Sequence, residues 1–401
     1  MNFTACTVKA QAANLLDDIT ANEVKLKPVD EAFISSSADF ALNVFKKSIK
    51  ENENSLISPL SVMLALSMVA NGANGQTKSE MEELLGGNIT LDDLNEYLYT
   101  YVKNLPSDKK YKLKIANSIW FRDDEDQLTI EKDFLQANAN YYNAATYKSA
   151  FDKKTVNEIN DWVKKNTDGM IDKILNEIDK NAVIYLINAL AFDAEWDTVY
   201  EKYSVNDGTF HALNGSIRSV EMMYSGETQY IDTGKATGFI KNYKDRKYSF
   251  VALLPNEGID INEYIASLTG ESFMLAVSNV EHAIVSAQLP KFSYEYSIKM
   301  NDVLSSLGMP TAFNADLADF SNLGNSTNGN IFIGNVIHKT FISVDELGTK
   351  AGAVTKVEVN ASGAPPTEIK YVKLDRPFIY AIIDNTTKLP FFIGTVMDIQ
   401  K

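Results

Sequence analysis

Proton transfer near neutral pH most often falls to histidine, and this chain of 401 residues has three: His211, His282 and His338. They are widely scattered. His338 lies in an apolar strand pattern beside Ile337 and Phe341, so it reads as a buried, hydrogen-bonded structural histidine. His211 and His282 have no nucleophile-like neighbourhood. The single cysteine, Cys6, excludes a disulfide framework within the chain and a cysteine-cluster metal site. The sequence has no Gly-x-Ser-x-Gly elbow, no His-Glu-x-x-His, no phosphate loop and no Gly-x-Gly-x-x-Gly. A Ser/His/Asp triad dispersed along the chain stays open, but nothing points to it. The expectation is a protein that is not an enzyme and uses neither metal nor cofactor.

The pattern that calls for explanation lies between Asp345 and Tyr371. This is a long connection between two strong strand patterns, and such connections are usually functional or disordered. From Thr349 to Val359 it has no proline. Every second residue gives Thr349, Ala351, Ala353, Thr355, Val357 and Val359, all uncharged and small or β-branched. The other set, Lys350, Gly352, Val354, Lys356 and Glu358, carries all the charge. In a strand these sets face opposite ways. The segment can therefore form a strand with one dry face and one wet face. A plain solvent hairpin is the alternative. Pro365 and Pro366 come only after this stretch.

The elements around it fall into two textures. The first half reads mainly as helices: Ala38 to Ile49, a helix starting at Ser58-Pro59, then Lys78 to Leu85, Leu91 to Val102, Phe134 to Ala139 and Val156 to Lys165. Lys112 to Phe121 alternates like a strand. Val183 to Phe192 is a continuous apolar strand, the mark of burial on both faces. After His211 short strands dominate: Gly215 to Met223, Thr228 to Asp232, Phe239 to Tyr243, Tyr248 to Pro255, and others to the C-terminus. Helices return at Ile261 to Leu268 and Met300 to Leu307. Segregation of helices and strands predicts an α+β fold in one large domain, residues 33–401. Residues 1–32 are polar and alanine-rich and read as a flexible N-terminal arm.

Composition narrows the partners. Net charge is −15, from 53 acidic and 38 basic residues, which argues against nucleic acid and against docking on anionic lipid. Hydrophobic residues make up 45% of the chain, with 20 Phe and 19 Tyr, so disorder over most of its length is excluded. The longest apolar run, Leu56 to Ala70, is too short and too polar to span a bilayer and reads as a buried helix. Phe3-Thr4-Ala5-Cys6 is similar to the end of a bacterial lipoprotein signal, although no charged or apolar region precedes it. One expectation is a lipid anchor through Cys6; the other is an ordinary terminus. A glycosylation sequon at Asn360, inside the patterned segment, argues mildly against a glycosylating pathway. The chain has few arginines beside its many lysines, which suggests an AT-rich genome. The expected setting is extracellular or at a bacterial cell surface.

Several motifs, in order and spacing, carry a family resemblance from about Ala38 to Lys401. Asn54-Ser-Leu-Ile-Ser-Pro-Leu-Ser-Val62 resembles the start of the serpin central helix. Asn188-Ala-Leu-Ala-Phe-Asp-Ala-Glu-Trp196 resembles the serpin strand that runs up to the opening of the main sheet. Val344-Asp-Glu-Leu-Gly-Thr349 resembles the beginning of the reactive loop, and Asp375-Arg-Pro-Phe-Ile-Tyr380 and Leu389-Pro-Phe-Phe-Ile-Gly394 resemble the C-terminal signature strands. The resemblance implies three β-sheets, eight to nine helices and an exposed reactive centre loop at about 346–371. It implies a monomeric suicide inhibitor that forms a covalent acyl complex with a target serine protease. The cleaved loop then inserts into the main sheet and traps the enzyme. The alternative is a non-inhibitory serpin that is cleaved as a substrate or acts as a binding protein.

Site residues follow from the same resemblance. The hinge is Glu346, Gly348, Thr349, Lys350, Ala351, Gly352 and Ala353, with Lys350 where the family often has Glu. Counting from Glu346, the reactive bond is Ser362–Gly363, with Ala361–Ser362, Gly363–Ala364 and Val359–Asn360 as neighbouring choices. The loop is a few residues longer than usual, which blurs this position. All these bonds offer a small or aliphatic specificity residue, so the expected target is elastase-like or subtilisin-like rather than trypsin-like. Trp196 and Lys291 match the breach at the top of the sheet, and a Lys291–Glu346 salt bridge is expected. Ser58, Ser61, Asn188 and His338 match the polar shutter beneath it. The helix Leu91 to Val102 is not richly basic, so a heparin site is not expected.

Overall fold

The computed structural model describes residues 12, 14–107, 109–122, 128–142, 144–179, 182–327, 329–349 and 368–400. Among them are nine α-helices: α1 (Glu31–Ser48), α2 (Pro59–Ala70), α3 (Gly75–Gly86), α4 (Leu91–Asn104), α5 (Lys132–Tyr141), α6 (Lys153–Asn166), α7 (Ile261–Ser267), α8 (Gly270–Ser278) and α9 (Asn301–Ser306). The strands of the first half are β1 (Ser55–Ile57), β2 (Tyr111–Arg122), β3 (Leu128–Ile130), β4 (Ala145–Ser149) and β5 (Ile184–Glu195). Then come β6 (Val205–His211), β7 (Ile217–Asp232), β8 (Ala236–Asn242), β9 (Tyr248–Pro255), β10 (Glu281–Pro290) and β11 (Phe292–Lys299). The last are β12 (Gly324–Ser326), β13 (Ile333–Val344), β14 (Gly348–Thr349), β15 (Ile369–Lys373), β16 (Phe378–Asp384) and β17 (Pro390–Val396). Three sheets result. One has nine strands, in the order β1-β17-β16-β9-β8-β7-β10-β15 with β6 paired to β7. The second has six strands, β11-β13-β14-β5-β2-β4, and β12 pairs with β3 in the third. The fold is α+β, as expected.

β5 explains its own sequence. Ile184, Leu186, Leu190 and Phe192 face the main core, while Tyr185, Ile187 and Ala189 face a second cluster that includes Trp120, Ile159 and Val163. Both faces are covered, so alternation disappears and the strand reads as one apolar run. Helix α2 is buried at every residue, capped by the Ser58 hydroxyl and opened by Pro59. It packs against β2, β5 and β17. An all-round apolar helix of this kind has to lie inside the protein.

Some elements differ from the sequence reading. α1 begins at Glu31 rather than near Ala38, because the Asp30 carboxylate accepts from the Phe33 N–H and starts the helix earlier. α8 and β6 were not anticipated. The two strands expected at Gly215 to Met223 and Thr228 to Asp232 are one long strand, β7, which begins at Ile217 and passes straight through Gly226, with Gly215 in the turn before it. Residues 14–30, assigned from sequence to the arm, run along the body: the Leu15 N–H donates to the Thr146 carbonyl at 2.7 Å, and the Lys27 ammonium pairs with Asp93. Cys6 lies outside the described residues.

Gly394 sits where β17 passes between β1 and β16. A Cβ there would lie 2.6 Å from the Ser55 carbonyl oxygen and 2.7 Å from the Tyr380 hydroxyl. We therefore expect Gly394→Ala to cost about 1–3 kcal/mol through overpacking. Urea unfolding of the uncut protein checks this.

Candidate functional site

The site is a seam between β5 and β13. The two strands pair directly and in parallel from Ile333↔Ile184 to Thr340↔Leu190. Higher up they part, and β14 stands between them. Thr349 faces Val344 of β13 on one side and Ala194 of β5 on the other, and Gly348 pairs with Glu195. Two residues of a further strand are therefore already seated at the top of a sheet that is closed below them. Thr349 is buried, and its hydroxyl bonds to the Tyr243 hydroxyl.

The approach to this wedge is tightly held. The Asp345 carboxylate accepts from the N–H groups of Leu347 at 2.8 Å and Gly348 at 3.2 Å. Burial pushes the Asp345 pKa up, against those backbone bonds. The Trp196 indole N–H donates to the Asp345 carbonyl at 2.9 Å, the Trp196 backbone N–H to Leu347 at 2.9 Å and the Tyr200 backbone N–H to Glu346 at 2.9 Å. The Trp196 ring stacks on Tyr243 at 4.5 Å and 11°. The Lys291 ammonium lies 2.7 Å from Glu346 and 3.1 Å from Glu221. Burial presses the Lys291 pKa down, but hydrogen bonds to the two carboxylates outweigh it and hold the group charged. The same lysine holds the Glu346 carboxyl below the usual range. These side chains are 22% and 40% exposed, so water screens the pair. Lys291→Ala is expected to cost about 1 kcal/mol or less, with the loss shrinking in high salt. Urea titrations at two salt concentrations check it.

Lower in the seam, polar groups line up across three strands. Asn117 on β2 is in register with Asn188 on β5, which is in register with His338 on β13. Below them Ser58 and Ser61 open α2. The Ser58 N–H donates to His338 Nε2 at 3.1 Å, which makes that nitrogen the acceptor. Nδ1 therefore carries the hydrogen and donates to Asn188 Oδ1. The Asn188 amide nitrogen donates to the Ser61 hydroxyl at 2.7 Å and to Asn117 Oδ1 at 2.8 Å. Burial drops the His338 pKa to about 3, so the ring is neutral at ordinary pH.

Glu346, Gly348, Thr349, Trp196 and Lys291 thus meet at the top of the seam, and Ser58, Ser61, Asn188 and His338 meet within it. Lys350, Ala351, Gly352, Ala353, Val359, Asn360, Ala361, Ser362, Gly363 and Ala364 lie outside the described residues. Sequence reasoning missed Asn117, Tyr200, Glu221 and Tyr243. Asn117 carries no local signal, since its partner Asn188 is set by the register of β2 on β5. His211 and His282 are both exposed, and neither takes part in the contacts of the seam. Among the described residues no group of three or more His, Cys, Asp or Glu side chains could hold a metal ion.

The family model for serpins, described as serine protease inhibitors, matches residues 35–399. The native-state crystal structure of tengpin, a thermophilic serpin, is similar with a TM-score of 0.94 and 57% identity, covering 97% of this chain and 100% of that one. Against the latent state of tengpin the TM-score is 0.84, at 56% identity over 94% of this chain and 100% of that chain. An uncharacterised serpin-like protein of Thermococcus kodakarensis is 31% identical over 383 residues, 93% of this chain and 86% of the relative. Human thyroxine-binding globulin shares the fold, with a TM-score of 0.82 at 24% identity over 92% of this chain and 99% of its own. A family match over nearly the whole length, joined to a seam with its first inserted residues in place, makes this chain a member of the serpin family.

Proposed function

We propose that this serpin is a suicide inhibitor of serine proteases with a shallow apolar specificity pocket, elastase-like or subtilisin-like. The protease serine attacks the carbonyl of the residue before the reactive bond, Ser362 by our count. The ester forms, the peptide bond to Gly363 breaks, and the proton of the serine hydroxyl passes to the Gly363 nitrogen, which leaves as an amine. The freed segment then zips into the seam from Thr349 downward and drags the acylated enzyme with it. Thr349 to Ser362 spans roughly 45–50 Å when extended. Distortion of the oxyanion hole stops deacylation, since each lost donor slows such chemistry roughly 100- to 1000-fold. The same reading takes the chain to be no enzyme itself and to act outside the cell or at a bacterial surface.

The observation that carries the reading is the position of Thr349. It is the first residue of the uncharged alternate set, and its side chain is already buried between β5 and β13. Continuing the strand by twos sends Ala351, Ala353, Thr355, Val357 and Val359 to the same face. A charge among them would cost several kcal/mol unless paired. Incubation with an elastase should give an SDS-stable complex heavier than either protein, and mass spectrometry of the released fragment should place the cut at residues 359–364. Cleavage after Lys356 alone, or a shortened chain with no heavy band, would sink the proposal.

A further inference from the structure

One cation lies behind the hinge. Lys241, on β8, has a side chain only 3% exposed. Lysine is rarely so far from water unless it is paired. Its ammonium is 2.9 Å from Glu227 and donates to the Thr198 carbonyl at 3.2 Å. It lies 4.4 Å from the centre of the Tyr200 ring and 5.4 Å from that of Trp196. Burial presses its pKa down, yet Tyr200 and Glu227 outweigh burial and keep it charged. The two aromatic residues are the ones that grip the hinge. Between them, Trp196 and Tyr200 supply the donors to three successive carbonyls, Asp345, Glu346 and Leu347.

We propose that Lys241 is a positioning residue for strand insertion: pinned by Glu227, it fixes Trp196 and Tyr200, and through their N–H groups it sets the register in which residues 345–349 enter between β5 and β13. The inference rests on the trapping reading above. An aromatic ring with a cation near its face cannot tilt freely without losing that attraction. Register is what this insertion cannot get wrong. A slip of one residue exchanges the faces of a strand and would turn Lys350, Lys356 and Glu358 into the sheet in place of Thr349 and the alanines. Packing alone would not call for a charge at position 241. An apolar residue of similar volume avoids the desolvation cost and is often neutral or stabilising in place of a buried ion pair. That holds for the pair and not for one partner: Lys241→Met leaves Glu227, 13% exposed, without its cation and costs stability whatever the role of Lys241. Hinge exchange and trapping, rather than stability, therefore separate positioning from a merely structural role.

The test compares Lys241→Met, Lys241→Arg and the wild type in the intact protein. Hydrogen exchange at the Trp196 and Tyr200 amides should quicken at least tenfold in Lys241→Met, with the Leu186 amide of β5 unchanged. The number of inhibitor molecules consumed per elastase trapped should rise at least threefold, while the rate of initial cleavage stays the same. Lys241→Arg, which keeps the charge, should recover much of both. Unchanged exchange in a folded Lys241→Met protein overturns the proposal. Faster exchange with unchanged consumption overturns it too, because the hinge would then have loosened without consequence for insertion. If Lys241→Met does not fold, Glu227→Gln decides by the same two readings and thresholds. If the wild type traps no protease, the trapping reading falls, and unchanged exchange would still overturn the role of Lys241 at the hinge.

Discussion

Cutting the loop should make this protein far harder to melt. The uncut chain holds β5 and β13 in direct contact from Ile184 to Leu190, with β14 between them only at the top. Insertion of the cut segment would replace one strand–strand seam by two and extend β14 downward as a full antiparallel partner of β5. About ten additional backbone hydrogen bonds at about 1 kcal/mol each amount to roughly 10 kcal/mol, and with about 2.1 cal/mol/K of unfolding entropy per residue a gain of that size raises the melting midpoint by about 12 °C. Calorimetry before and after limited elastase digestion checks it, with gel analysis to confirm that both fragments remain associated. Thr349→Arg supplies the control. Thr349 is buried against Tyr243, and a guanidinium there would lose its water. That variant should still be cleaved, but it should gain little heat resistance and behave as a substrate. An equal midpoint for cut and uncut wild type would leave the fold assignment standing and remove the mechanism.

How much of this was legible in the sequence depends on the range of the physics involved. The start of α2 could be read because a hydroxyl cap followed by proline acts within one turn. Burial of β5 on both faces could be read because it erases alternation over many residues. α1 starts seven residues before the apolar spacing shows it: Ser35, Ser36 and Ser37 interrupt the pattern, serine competes for its own backbone, and the Asp30 cap and the packing of Phe33 override that preference. α8 escaped notice because its capping box uses Thr269 and Ser272 rather than a glutamate. β7 was split in two because Gly226 resembles a break, yet pairing with β10 on one side carries the strand through it.

The site divides along the same line. Trp196, Lys291 and the shutter residues came from motif resemblance, and their positions are where the fold brings them together. Asn117, Tyr200, Tyr243 and Lys241 carry no motif. In sequence, the Asn of β2 and the Lys of β8 look like wet-face residues of half-buried strands. What makes each one matter is a contact made across the sheet by a residue distant in the chain: Asn117 with Asn188, Lys241 with Glu227 and Tyr200. A polar residue in a strand can be assigned to the interior only when the register of its neighbours is known, and register here is set by three strands at once.

Acid should weaken the seam through one histidine. His338 is fully buried and neutral, with a pKa of about 3 in the folded protein against 6.5 for the free side chain. In the unfolded chain it takes up a proton below 6.5, whereas in the folded chain it does so only near 3. The unfolded state therefore binds more protons between those values, and stability rises with pH across that window. Running downward, the folded state loses about 1.4 kcal/mol per pH unit, or roughly 2 kcal/mol at pH 5 and about 5 kcal/mol by pH 3. Forced protonation would also turn Nε2 into a donor facing the Ser58 N–H, which already donates to it, so the charge would part β13 from α2 at the point where the seam is closed. Carboxylates titrate in the same range, with Asp345 shifted up and Glu346 shifted down, so the informative quantity is a difference between proteins. Gln can accept from Ser58 and donate to Asn188 without titrating. His338→Gln should thus be less stable than wild type at pH 7, where its packing is imperfect, and should lose that disadvantage as the pH falls below 6. Urea unfolding at half-unit steps from pH 7 to pH 4 would show the two curves converging; parallel curves would mean that His338 can take a proton without opening the sheet.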